Sequence, residues 1–296
     1  MPRDSRQNTR RRIEILFALI LAGMLYYQFS DEDHEVVVNR SSPLVFAAER
    51  APADRFEQLL REDPLAALVE ARARHAESVK DYRCTLVKQE LLPSGMGAEQ
   101  EIEVLHRLEP YSVVMHWKRN PGLAKRVLYI KGKWIDPEQT AYGERELALC
   151  QPESAAAKWL IKSIKMPIGG SMAKRTARRS IDEFGFKRTL DLLIKYCELA
   201  KEREELSLDF RGESRFDGRP VWVLRRRLAY TGAQGIYPDR TAEIYIDKKY
   251  RIAVAVYCYS DDAKLPQNLL GKYEYRDITF DVGLTEADFE PATYGM

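Results

Sequence analysis

The chain has 296 residues, 45% of them hydrophobic and 31% charged, a globular composition that excludes disorder and collagen-like repeats. Its formal net charge of +2 gives the molecule no directing field, so any electrostatic recognition must be local. The four cysteines, Cys84, Cys150, Cys197 and Cys258, show neither C-x-x-C nor Cys/His ligand spacing, which argues against a zinc site.

Arg3, Arg6, Arg10, Arg11 and Arg12 precede an apolar run from Ile13 to Phe29, and the acidic stretch DEDHE follows at residues 31–35. At about 1.5 Å of rise per residue these 17 residues reach roughly 25 Å as a helix, the lower limit for crossing a bilayer. Tyr26 and Tyr27 fall where an interfacial aromatic belt lies, and the arginines keep their end in the cytoplasm. The pattern predicts a cytoplasmic basic tail over 1–12 and a transmembrane signal-anchor over 13–29. A kept anchor is favoured over a cleaved signal, because Tyr26-Tyr27-Gln28-Phe29 offers a signal peptidase no small residues. The expectation is a single-pass protein of the inner, cytoplasmic membrane with its C-terminal domain in the periplasm. Residues 30–55, small, charged and aperiodic, read as a flexible linker, and 56–296 as the folded domain.

Asp63 is a candidate N-cap and Pro64 suits the first helical position. Leu65, Leu68, Val69, Arg72 and Ala76 then follow a helical period for about four turns. His75, alone on this helix, reads as a surface or boundary residue. The period changes to two over 82–92, 101–108, 111–118 and 125–134, giving four strands of an antiparallel meander. His106 and His116 fall on neighbouring strands with no third ligand nearby and read as structural.

Residues 154–202 are different, with helical period interrupted at MPIGG. One helical side carries Lys158, Lys162 and Lys165, with Trp159 turned away. Lys158 to Arg188 holds nine basic and two acidic residues, and Lys158, Lys162, Lys165, Lys174, Arg175, Arg178 and Arg179 form a candidate basic surface. Such a surface suits anionic lipid headgroups or an acidic partner, or is simply a solvated face.

Strand patterns return over 206–216 and 220–230 around Asp217-Gly218, a hairpin signal. A three-residue loop, which places Leu208 opposite Leu228, is the preferred register. Residues 241–260 give another hairpin and 271–282 the last strand, at least nine strands in all. After Gly283, Thr285 begins a capping-box-like turn, Phe289 folds back as an apolar plug, and Pro291 ends the turn.

The closing segments Glu243-Ile244-Tyr245-Ile246-Asp247, Tyr273-Glu274-Tyr275-Arg276-Asp277-Ile278, Gly283-Leu284 and Asp288-Phe289-Glu290-Pro291 resemble the C-terminal half of the LolA/LolB-like superfamily of bacterial lipoprotein carriers. DYRCTLVKQE at 81–90 and PYSVVMHW at 110–117 look like a bacterial family of uncharacterised function within it. The resemblance spans about 64–291 and is sharpest in the last fifty residues. It implies an α+β fold: a curved antiparallel half-barrel of about 9–11 strands with helices covering the concave face, here preceded by an N-terminal transmembrane helix. In the carriers that cavity accepts acyl chains. An anchored domain cannot shuttle across an envelope, so local lipid or lipoprotein binding, or sensing, is the expectation.

No nucleophile elbow, P-loop, dinucleotide fingerprint or H-E-x-x-H motif is present, so neither an enzyme nor a cofactor is expected. An exported chain without a nucleic-acid motif predicts no nucleic-acid partner. Cys84, without a base nearby, reads as a small buried side chain. The four cysteines are compatible with two disulfides or with four separate thiols. The expected partners are lipid or lipoprotein acyl chains and, through the N-terminal helix, the membrane. Candidate contacts are Trp159, Leu208, Phe210, Trp222, Leu224 and Tyr245. The alternative is an envelope interaction or scaffold module with a self-filled core and a protein partner.

Overall fold

A computed structural model of the protein describes residues 54–153 and 161–296, all within one compact unit, Val45–Met296. The expected anchor, most of the expected linker, Lys158 and Trp159 lie outside the described residues. Among the described residues no helix is long and apolar enough to cross a membrane.

The chain enters through two helices where the sequence predicted one. Helix α1, Arg55–Glu62, is capped by Asp54, whose side chain accepts from the Phe56 N–H at 3.0 Å. Helix α2, Pro64–Ser78, starts at the expected cap, with Asp63 accepting from Ala66 N at 3.0 Å. Pro64 disfavours a helical conformation at the residue before it, which separates the two helices at Asp63. The buried stripe of α2 is Ala67, Leu68, Ala71 and His75. It is rotated from the expected stripe, and it carries His75 into the interior instead of leaving it at the surface.

The strands are β1 Asp81–Leu92, β2 Gly95–Met96, β3 Gln100–Arg107, β4 Ser112–Arg119 and β5 Ala124–Ile130. After the short helix α3, Tyr142–Arg145, come β6 Leu147–Pro152 and β7 Ile164–Pro167. Helices α4, Ser171–Thr176, and α5, Phe186–Glu202, lead to β8 Ser207–Phe216, β9 Arg219–Arg227, β10 Thr241–Asp247, β11 Ala253–Tyr259 and β12 Leu269–Phe280. They form one open 12-stranded sheet in the order β7-β6-β5-β4-β3-β1-β12-β11-β10-β9-β8, with β2 paired to β1. All the strand pairings among the described residues are antiparallel, and bulges in β4, β5, β8 and β12 bend the strands and curve the sheet. One meander runs outward from β1 to β7. A second returns from the far edge to β12, and the two are joined where Leu86 faces Tyr275.

The sheet has more strands than the expected 9–11, with β2, β6 and β7 in addition to the predicted ones. Ile164–Pro167 pairs with β6 instead of continuing a helix. Pro167 cannot donate into a helix, and Gly169 then packs so closely on Gly143 that a β-carbon there would lie 2.9 Å from the Gly143 Cα. Lys165 therefore does not share a helical face with Lys162. The β8–β9 turn has two residues, with Phe216 opposite Arg219, and a bulge at Arg211 shifts Leu208 opposite Arg226. The expected three-residue loop and the Leu208–Leu228 pairing are not formed.

Helices α1, α2 and α5 pack Phe56, Leu60, Leu68, Leu190 and Ile194 onto Trp222, Leu224 and Ile244. A second cluster joins Tyr82, Ile102, Val104, Tyr129 and Tyr275 to Phe184 and Phe186 at the start of α5. On the opposite face, Val114, Leu128 and Leu149 close over Phe289, which is fully buried as the expected plug. The Thr285–Asp288 capping box is formed. All four cysteines are free, and Cys84 is buried.

Candidate ligand cavity

Strand alternation sends Leu86 from β1, Met115 and Trp117 from β4, Val127 from β5 and Ala148 from β6 to one face. Opposite them lie Ile168, α4, Phe184 and Leu193. Between these layers is a cavity of about 280 Å³. Its lining is mainly apolar, and the small side chains Ala148, Ala173 and Ala177 leave the space open. The volume is at the small end of the range for ligand pockets.

A few polar groups sit in this wall. Lys88 Nζ lies 2.6 Å from Glu90 Oε2, and Tyr273 donates to Glu90 Oε1 at 2.7 Å. Burial, followed by the neighbouring Glu90 charge, holds the Tyr273 hydroxyl well above its ordinary pKa, so it stays a donor. Arg226 donates to both carboxylate oxygens of Asp239, at 3.0 and 2.9 Å, in a pair closed to solvent. The Trp117 indole N–H is buried with no hydrogen-bond partner among the described residues. Burial pushes the Cys150 thiol up to about 11 and the Cys258 thiol up to about 12, so both lining cysteines remain protonated and unreactive.

Leu123 and Met172 line the cavity and are 62% and 39% exposed, marking its mouth. Ile164, across the β6–β7 pairing from lining residue Cys150, is exposed as well, as is Ile161. Of the expected basic surface, Lys162, Lys165, Lys174 and Arg175 are exposed, while Lys158 lies outside the described residues. Arg178 is half-buried and donates to the Pro238 carbonyl at 3.0 Å. Arg179 turns to the cavity and has no ion pair among the described residues.

The residues expected to touch ligand are placed elsewhere. Trp222 is packed on Phe56, ring centroids 5.2 Å apart, with its N–H directed to Glu57 at 3.3 Å. Leu224 is core beneath the helices, and Leu208 and Phe210 pack against that same cluster. Tyr245 lies between Phe216 and Tyr257. None of these five lines the cavity, and Trp159 lies outside the described residues. The cavity belongs mainly to the first meander, which holds none of these five expected contacts. The alternation Leu86-Lys88-Glu90 on β1 was the available signal. Among the described residues no cluster of three His, Cys, Asp or Glu could hold a metal ion.

The architecture is an open antiparallel sheet with helices on one face and a mostly apolar cavity that opens to the surface between them. The chain belongs to the family described as protein of unknown function (DUF1571), which residues 79–294 match. No curated protein matches it. Among solved structures it is similar to MucB, at 14% identity and a TM-score of 0.45, over 77% of this chain and 62% of that one. The chain thus spans less than two thirds of MucB. It is also similar to the lipoprotein LppX of Mycobacterium tuberculosis, at 11% identity and a TM-score of 0.40 over 75% of this chain and 98% of that one. A LolA superfamily protein of Nitrosomonas europaea is similar at 8% identity and a TM-score of 0.31, over 76% and 97% of the two chains.

Proposed function

We propose that this protein is a membrane-anchored, extracytoplasmic module that binds a single acyl chain in the cavity beneath α4. The observation that carries this reading is the mouth of that cavity. Leu123 and Met172 are exposed and continuous with an apolar interior, and exposed lysines and an arginine stand on the same insert. An apolar rim with cations beside it suits a bilayer surface, where a chain can leave the lipid phase without crossing water. Residues 13–29 would hold the domain at the inner membrane. A cavity of about 280 Å³ suits one chain better than a lipoprotein with several.

The test is native mass spectrometry of Val45–Met296 exported to a periplasm, with organic extraction of anything bound. A co-purifying acyl lipid, and uptake of a fluorescent fatty acid that is lost in Ala173→Trp with an unchanged melting temperature, is the expected result. A clean apo mass without fatty-acid uptake overturns it. The same exposed apolar and basic side chains favour a second reading, an envelope protein partner with an acidic, apolar segment. Crosslinking from Lys174 in intact cells would then give one discrete adduct.

A further inference from the structure

A second cavity, of about 660 Å³, opens at the start of α5, where Phe184 touches both spaces. The 17-residue helix begins without the usual provisions. Its N-cap is Gly185, with no side-chain cap, and its first turn has no acidic residue. Lys187 and Arg188 stand there instead. Among the described residues the first N–H groups and the positive end of the helix dipole have no side-chain cap. The Lys187 ammonium is engaged by Asp191 at 3.0 Å, and Arg188 lies 3.7 Å from the same carboxylate oxygen.

Into the same cavity come three buried polar side chains, Tyr82, His106 and His75, which are 0%, 3% and 2% exposed. Neither the Tyr82 hydroxyl nor any ring nitrogen of the two histidines has a hydrogen-bond partner among the described residues. The Phe186 N–H lies near the Tyr82 oxygen without good hydrogen-bond geometry. Tyr82 and His106 are stacked with centroids 4.8 Å apart, and Tyr111 stands edge-on to His106 at 4.9 Å, so both rings are fixed.

The polar atoms converge. A β-carbon on Gly185 would lie 2.8 Å from Tyr82 Oη and 3.2 Å from His106 Nε2. Only a glycine, here at φ +108, lets both groups face the helix start. Burial, then the nearby His75 and Arg188, depress His106 to about 3, so the ring is neutral and has one N–H to donate. Two acids also line the cavity. Glu146 Oε2 already accepts from Tyr129 at 3.1 Å and from the Gly132 N–H at 3.0 Å, and Glu109 shares the lining with Lys131.

We propose that this cavity is an anion site for a tetrahedral oxyanion of the phosphate-monoester class, bound by the α5 N–H groups, Tyr82 Oη and His106 Nε2–H, with Arg188 at its edge. Donors arriving from a helix end, a phenol and an imidazole need several acceptor oxygens in different directions, which a tetrahedral anion has. The space exceeds a bare anion, so the natural ligand carries an organic group. The inference does not depend on acyl binding in the first cavity.

The experiment uses the full chain in a neutral detergent and follows the histidine ring signals by NMR. Inorganic phosphate, glycerol 3-phosphate and dihexanoyl phosphatidic acid are titrated in turn. Saturable movement of the His106 signals is expected with at least one probe, with affinity falling at least tenfold in Tyr82→Phe and in Arg188→Gln. Tyr82→Phe removes a hydroxyl without a well-formed hydrogen bond among the described residues, so its melting temperature should not fall. A response to glycerol 3-phosphate identifies a soluble phosphate. A response confined to phosphatidic acid identifies a lipid headgroup. No movement with any probe, or undiminished affinity in both variants, overturns the proposal.

Discussion

The two meanders of the sheet use their helix-facing surfaces in opposite ways. Beneath β9 to β11 the space is filled by the chain itself: α1 and α2 bring Phe56, Leu60 and Leu68 down onto Trp222, Leu224 and Ile244. Beneath β4 to β6 the cover is α4 with Leu192, Leu193 and Tyr196 of α5, and the short side chains of Ala173 and Ala177 leave a cavity. A curved sheet has to fill its inner face with helices or with ligand. This one does the first on one half and leaves room for the second on the other.

The sharpest way to break that contrast is to empty the filled half. Trp222→Ala removes a fully buried indole and its contact with Phe56, and should cost about 3–5 kcal/mol in urea unfolding. Fatty-acid uptake per folded molecule should stay unchanged. If uptake vanished while the fold survived, the ligand space would lie under the second meander. Asp239→Ala should cost about as much, because it strands the buried Arg226 charge.

Acid should act next, at the junction of the halves. Burial, followed by Lys187, lowers His75 to about 4, and burial, His75 and Arg188 lower His106 to about 3. Unfolded histidine titrates near ~6.5. Between these values the unfolded chain binds the extra protons, so this contribution is complete above ~6.5 and is lost as the pH falls. By about pH 4 the loss should approach ~3 kcal/mol per histidine. His75→Leu should flatten the stability–pH curve over this interval. A curve with the same slope in the variant would mean that His75 is solvated.

Much of this contrast was illegible in the sequence, for local reasons. Asp63-Pro64, the strand alternations and the Thr285–Asp288 capping box are short-range signals, and the structure keeps them. The β1–β12 joint pairs Leu86 with Tyr275, a separation that no periodicity encodes. Without it, the apolar second hairpin looked like the ligand wall, when it is core beneath α1 and α2. The Arg211 bulge moved the register of Leu208, and the Gly143–Gly169 contact turned an expected helix into β7. His75 was misplaced because the alanines of α2, not its leucines alone, form the buried stripe.

A smaller effect should come from Tyr82→Phe, which removes a buried hydroxyl without a hydrogen-bond partner among the described residues. Deleting such a group relieves a desolvation cost, so stability should rise by up to about 1 kcal/mol in the ligand-free protein. A fall of that size would mean that the hydroxyl is bonded in solution.

The smallest change in stability should come from the cavity mouth, and there the two readings of function divide. Lys162, Lys165, Lys174 and Arg175 are exposed and outside the ion pairs formed among the described residues. Replacing Lys174 and Arg175 with Ala should alter stability by less than about 0.5 kcal/mol. Near an anionic surface each cation contributes about 1 kcal/mol, so the double variant should bind phosphatidylserine vesicles roughly thirtyfold more weakly. High salt should weaken the wild type in the same direction. If vesicle binding is instead indifferent to both changes while a crosslink from Lys174 to one envelope protein persists, the basic side chains serve a protein partner. Leu123 and Met172 would then be the apolar centre of that interface, not the entrance for a lipid.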